Sequence, residues 1–237
     1  MVACNPVPLY ERVKAIRELG KPSRELSDDE MELCERNSKA YAVWGRLKSD
    51  RGKRYANCTF ESYECSSSDQ QKAVARLREY ATDSALNIEA GKNVIVFGPK
   101  GTGKDHLLMA TAYESARQSG ACVAWVNGSD LFEHYRAKVS GRIGDCICYG
   151  DYERIEKSDV LWISDPLPPS GAVSDFVQGE LFGLIDKRYS DMRPVWITCN
   201  VTNATELAER IGAQVADRLR HNALAVYCNW PSYRTKE

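Results

Sequence analysis

Five short apolar runs punctuate the chain from residue 93 onward: NVIVFG (93–98), ACVAWV (121–126), DVLWIS (159–164), PVWITC (194–199) and ALAVYCNW (223–230). Each is unbroken rather than alternating, as expected of a strand buried on both faces. Between them apolar positions recur at helical spacing, which predicts helices near 103–119, over SDLFEHYRAKV with Ser129 as its cap, near 174–190, and over ATELAERIGAQVADRLR. Strands alternating with helices predict an α/β fold with a parallel five-stranded sheet covered on both sides. Residues 1–55 are more polar, with helical patterns in VPLYERVKAIRELG and SDDEMELCERNSKAYAVWGRL. SDDE at 27–30 has the form of a capping box, with Ser27 as the cap and Glu30 three residues on. The charged, Gly52-containing break KSDRGKR places a boundary near residues 50–56, giving a helical extension over 1–52 and a core over 53–237. SSSD at 66–69 starts a further helix that leads into the core.

Composition changes this picture little. Hydrophobic residues at 43% and charged residues at 27% are ordinary for a soluble globular chain. No apolar run approaches the roughly 18–20 residues that span a bilayer, and the N-terminus lacks the basic start and apolar core of a signal peptide. A cytoplasmic protein with no membrane partner is expected. None of the nine cysteines forms a C-x-x-C pair, and several sit in apolar runs, so they are expected to be reduced and mostly buried. The net charge of −1 gives no steer toward nucleic acid. Locally, however, Arg36, Lys39, Arg46, Lys48, Arg51, Lys53 and Arg54 are interleaved with Tyr41, Trp44 and Tyr55. This stretch is open to two readings: a face for nucleic acid or an acidic partner, or a solvated helical face whose aromatics pack on the core.

The chemistry concentrates in GPKGTGKDHLL, residues 98–108. Gly98, Gly101 and Gly103 permit backbone conformations closed to other residues and let N–H groups approach a phosphate. The following helix turns its positive end toward the same anion. Lys104 would reach the β- and γ-phosphates. Gly98, Pro99, Lys100, Gly101, Thr102, Gly103, Lys104, Asp105 and His106 are therefore the candidate nucleotide-binding residues. Asp105 stands where Ser or Thr usually ligates Mg²⁺; a carboxylate can ligate the metal too, or can merely cap the helix. Asp165, closing VLWISD, is the candidate for a second metal contact. Pro166 follows it where many ATPases carry a water-positioning Glu, and no acid appears until Asp175, which predicts slow hydrolysis. Asn200, at the end of VWITCN, is placed to bridge water and phosphate or simply to close a strand.

These motifs resemble the DnaC-type helicase loaders and the related IstB-type transposition ATPases of the AAA+ class. The resemblance spans about residues 50–234: His106-Leu107 after the loop, RYANCTFESYE (54–64) leading into the core, then DVLWISD, VWITCN and ADRLRHNALAVYCNWPSYR (216–234) in order. It implies an AAA+ core without a C-terminal lid, ATP with Mg²⁺, self-assembly into a ring or spiral, and single-stranded DNA in the assembly. By position it implies that Lys104 binds phosphate, Asp105 and Asp165 serve the metal, Asn200 is the sensor, and Arg218 is an arginine finger for a neighbour's ATP. Arg136, Lys138 and Arg142 lie near where related initiator proteins contact DNA. The function expected is loading or remodelling a replicative helicase on single-stranded DNA through the N-terminal extension. The alternatives are a transposition regulator that assembles on DNA and delivers a transposase, and a nucleotide-gated scaffold with little turnover. A small-molecule kinase is disfavoured, since no Arg-rich lid segment lies between the third and fifth strands.

Overall fold

A computed structural model describes residues 27–142 and 154–235 of the chain, which divides into two compact units, Met1–Glu35 and Arg36–Glu237. The helix expected over VPLYERVKAIRELG falls outside the described residues. Helix α1 (Asp28–Arg51) opens directly after Ser27, with the Met31 N–H donating to the Ser27 carbonyl at 2.9 Å. Its later residues belong to the second unit: Trp44 and Leu47 are buried in the same cluster as Leu77, Leu107 and Trp162. The compact core thus begins at Arg36, ahead of the boundary expected near residues 50–56.

Helices α2 (Ser68–Thr82) and α3 (Ser84–Glu89) follow, then β1 (Asn93–Phe97), α4 (Lys104–Ser119), β2 (Val123–Asn127), α5 (Gly128–Val139), β3 (Val160–Ser164), α6 (Asp175–Ser190), β4 (Val195–Cys199), α7 (Ala204–Ile211), α8 (Ala213–Arg220) and β5 (Ala223–Tyr227). Every expected strand is present. They form one sheet in the order β2-β3-β4-β1-β5, with all neighbours parallel. Alternate residues of β1 serve opposite cores. Val94 and Val96 pack with α2, α4 and the end of α1; Ile95 packs with the apolar faces of α5, α6, α7 and α8. Burial on both faces explains why the central strands β1, β3 and β4 read as unbroken apolar runs; the edge strand β5 departs from that expectation, with only Val226 buried among its five residues.

Three local expectations are corrected. Asn127, not Ser129, caps α5, its side chain accepting from the Ser129 N–H at 2.9 Å. ATELAERIGAQVADRLR makes two helices, broken where Gly212 adopts φ 102° and ψ 137°, a conformation outside the helical region that glycine tolerates. Of the six cysteines among the described residues, Cys58, Cys199 and Cys228 are buried, Cys122 is half-buried, and Cys34 and Cys65 are exposed; all six are free thiols. One polar group is built deep into the fold. Arg188 of α6 is 2% exposed and donates to the carbonyls of Ile155, Ser158, Asp159 and Pro194, tying α6 to the approach to β3. Among the described residues no helix is long and apolar enough to cross a membrane.

Candidate nucleotide-binding site

The strand order brings β1, β3 and β4 side by side, so their C-terminal ends open onto one edge of the sheet, where open α/β sheets place their ligands. Lateral bonds hold these ends in register: the Gly98 N–H donates to the Cys199 carbonyl at 3.3 Å and the Asp165 N–H to the Thr198 carbonyl at 2.9 Å. A cleft of about 690 Å³ lies there, lined by residues of the Gly98–His106 loop together with Asp165, Thr198, Asn200 and Arg210.

The loop is shaped by its glycines and by what stands behind them. Gly98, Gly101 and Gly103 have φ of 142°, 84° and 81°, and a Cβ at each would strike a neighbour: the Cys228 carbonyl, the Ser232 hydroxyl and, at 2.7 Å, the Tyr63 ring. The carbonyl of buried Thr102 accepts from the Tyr63 hydroxyl at 2.9 Å and the Trp230 indole at 2.8 Å, and the Gly101 carbonyl from the Tyr233 N–H at 2.9 Å. RYANCTFESYE and the NWPSYR string thus brace the loop from behind. His106 belongs to this brace: its Nε2 lies 2.9 Å from the Thr59 carbonyl and 3.2 Å from the Ser62 hydroxyl, with its ring edge-on to Tyr63. Burial holds its imidazole below the ordinary histidine range.

Lys104 opens α4 and is 7% exposed, its ammonium donating to the carbonyls of Gly98 at 2.9 Å and Pro99 at 2.7 Å. Burial lowers its pKa. With three donors and two of them on the loop, one N–H remains for a phosphate oxygen. Lys100 is exposed at the mouth of the cleft. Asp165 adopts φ 49°, a left-handed conformation unusual outside glycine, immediately after β3, and accepts from the Asn200 amide at 2.8 Å. Burial first, and then the Asp105 carboxylate, raise its pKa. Pro166 is buried, and Asp175, first residue of α6, is exposed and does not line the cleft. Asp105 is already engaged on both oxygens, with the Thr198 hydroxyl at 2.7 Å and the Arg51 guanidinium at 2.9 Å.

The remaining candidates lie elsewhere. Arg218 is absent from this chain's own cleft; it pairs with Asp186 at 2.8 Å and Asp217 at 3.3 Å and lies over the Tyr189 ring. Arg136, Lys138 and Arg142 are exposed and also away from the cleft. The aromatics of the basic stretch offer no continuous stacking face: Trp44 is buried, Tyr55 half-buried under Arg51, and Tyr41 alone is exposed. Four participants were not legible as such. Thr198 and Arg51 hold Asp105; Tyr63 and Trp230 hold Thr102. Arg210 is a fifth: it donates to the carbonyls of Pro168 and Gly171 and so fixes the proline-rich turn after Asp165.

Comparison with known proteins supplies a family. A family model described as IstB-like ATP binding protein matches residues 30–237. The replicative helicase loader DnaC of Buchnera aphidicola subsp. Schizaphis graminum is 24% identical over 235 residues, 99% of this chain and 92% of that one. A crystal structure of the DnaC helicase loader superposes with a TM-score of 0.64 at 23% identity, over 75% of this chain and 99% of the other. The replication initiator DnaA bound to AMPPCP and single-stranded DNA superposes with a TM-score of 0.55 at 16% identity, over 76% of this chain and 51% of the other. The two superpositions give the AAA+ fold.

Proposed function

We propose, from the premise that this chain belongs to the IstB-like ATP-binding protein family, that it is a cytoplasmic AAA+ ATPase that loads or remodels a replicative helicase on single-stranded DNA. The nucleotide part of this reading rests on the convergence of the braced glycine loop, Lys104, Asp165 and Asn200 at one sheet edge. The loader part rests on the DnaC relative, which aligns over 99% of this chain and therefore also over the segment ahead of the core. Residues 1–35 are then the helicase-contacting arm.

The residues present fit ATP with Mg²⁺. A Cβ at any of the three loop glycines would strike the wall behind the loop, so only glycine keeps the backbone in this shape, whose N–H groups can approach a phosphate. Burial and then the nearby Asp105 carboxylate raise the pKa of Asp165, an arrangement that a divalent cation relieves. Asp165 would hold the metal, which would neutralise charge on the phosphates. Lys104 binds the phosphate chain, Asn200 orients Asp165 and a water beside it, and Pro166 leaves that water without the usual carboxylate base. Turnover should accordingly be slow. Arg218 would act on a neighbour's nucleotide in a ring or spiral, after leaving Asp186.

The test is phosphate release from Mg-ATP with and without single-stranded DNA, alongside capture of a hexameric replicative helicase. Lys104→Ala should abolish DNA-stimulated release, and deletion of residues 1–35 should abolish helicase capture while leaving ATP binding intact. Helicase capture that survives the deletion would sink the arm assignment. The family model favours a second reading, a transposition regulator; preference for duplex DNA and capture of a transposase rather than a helicase would select it.

A further inference from the structure

The last residue of α1 is an arginine whose side chain is only 4% exposed. The Arg51 guanidinium sits among three rings, its Cζ 4.0 Å from the centroid of Tyr55, 4.6 Å from Trp125 and 4.8 Å from Trp162. Nη1 donates to the Ser164 hydroxyl at 3.1 Å, and Nη2 stands 2.9 Å from Asp105 Oδ2. Neither Nε nor Nη2 has a hydrogen-bond partner among the described residues, so Nη2 meets Asp105 as an ion pair without hydrogen-bond alignment. Removing a guanidinium from water costs several kcal/mol unless an anion compensates it. Among the described residues the anion paired with Arg51 is Asp105. That carboxylate occupies the position after the loop lysine, where an uncharged hydroxyl is usual.

We propose that Arg51 is a positioning residue of the nucleotide site: it neutralises Asp105 and, with Thr198, fixes that carboxylate in the cleft wall. A carboxylate one residue after the phosphate-binding lysine repels a polyphosphate unless a cation offsets it. Lys100, Lys104 and Arg51 are the cations that act on Asp165, against Asp105, so loss of Arg51 takes one positive charge from beside the two carboxylates. Thr198 Oγ1 on Oδ1 and Arg51 on Oδ2 fix the carboxylate from β4 and α1 together. The end of α1 is therefore part of the ATP site. By linkage, nucleotide binding and the seating of α1 against the loop stabilise one another. An aspartate that would otherwise look like damage to the motif becomes half of a built-in ion pair.

This rests on the reading of the cleft as an ATP site, so the experiment carries its own control. Dissociation constants of a fluorescent ATP analogue are measured on the full chain, in Mg²⁺ and in EDTA, for wild type, Lys104→Ala, Arg51→Met, Asp105→Asn and the double variant Arg51→Met/Asp105→Asn. Arg51→Met keeps the apolar bulk among the rings and should weaken binding about tenfold in both buffers. Asp105→Asn keeps an acceptor for Thr198, removes the negative charge, and should tighten binding in both. The double variant should recover to within about threefold of wild type, since both halves of the pair are gone. Equal weakening in Arg51→Met and the double variant would reduce Arg51 to a packing role and overturn the proposal. So would Asp105→Asn weakening binding in Mg²⁺ alone, which would make Asp105 a metal ligand; this arm stands even if Arg51→Met does not fold. Wild type binding no more tightly than Lys104→Ala would instead remove the ATP site itself.

Discussion

Gly128 shows how narrowly single residues set this site. A Cβ there would strike the carbonyl of Asp165 and lie 2.6 Å from Pro166 Cα, both backbone atoms that cannot swing aside. Gly128→Ala should therefore displace the left-handed turn at Asp165, destabilising the fold by about 1–3 kcal/mol. It should also lower phosphate release more than ATP affinity, because Lys104 and the loop are held from the other side by Tyr63 and Trp230; parallel melts and ATP titrations check both. At this scale the sequence was legible where spacing carries the information. The loop glycines, Lys104, Asp165 and Asn200 are found where the motifs place them. Arg51 was not, because its partners Asp105, Trp125, Trp162 and Ser164 lie far along the chain and a basic stretch on a helix reads as solvated. One signal pointed to it: an acid after the loop lysine calls for a cation somewhere in the fold.

Between elements, the tie that links the 57–64 segment to α4 runs through His106. Burial keeps its imidazole neutral to lower pH than in the unfolded chain. Below about pH 6.5 the unfolded state takes up a proton that the folded state refuses, so stability is level above that pH and declines as pH falls toward the folded pKa. Thermal melts between pH 5.5 and 7.5 should show this decline, and His106→Gln should flatten it. Some slope should persist, since burial and Lys138 shift His134 in the same direction. The strands were legible because central parallel strands are buried on both faces and stay apolar throughout. The break between α7 and α8 was hidden: an interior glycine lowers helix propensity by only about 1 kcal/mol, and nothing local says the helix must turn.

At the level of the whole molecule, Arg218 separates a site complete within one chain from a site completed by two. It stands outside its own cleft, paired with Asp186 and Asp217. Arg218→Ala should leave ATP affinity unchanged and lower phosphate release by about 10³-fold. Mixing it with Lys104→Ala should restore turnover, because each variant supplies what the other lacks. Unchanged release in Arg218→Ala would return the residue to the surface ion pairs.

The bracing of the loop has a consequence for synthesis. The Thr102 carbonyl takes its indole partner from Trp230, 128 residues downstream. At the usual speed of a ribosome that interval lasts roughly 6 to 25 seconds. For that time the nascent chain carries a complete phosphate-binding motif backed by Tyr63 but not by Trp230 or Tyr233, and shorter translation products carry the motif with that half of its brace alone.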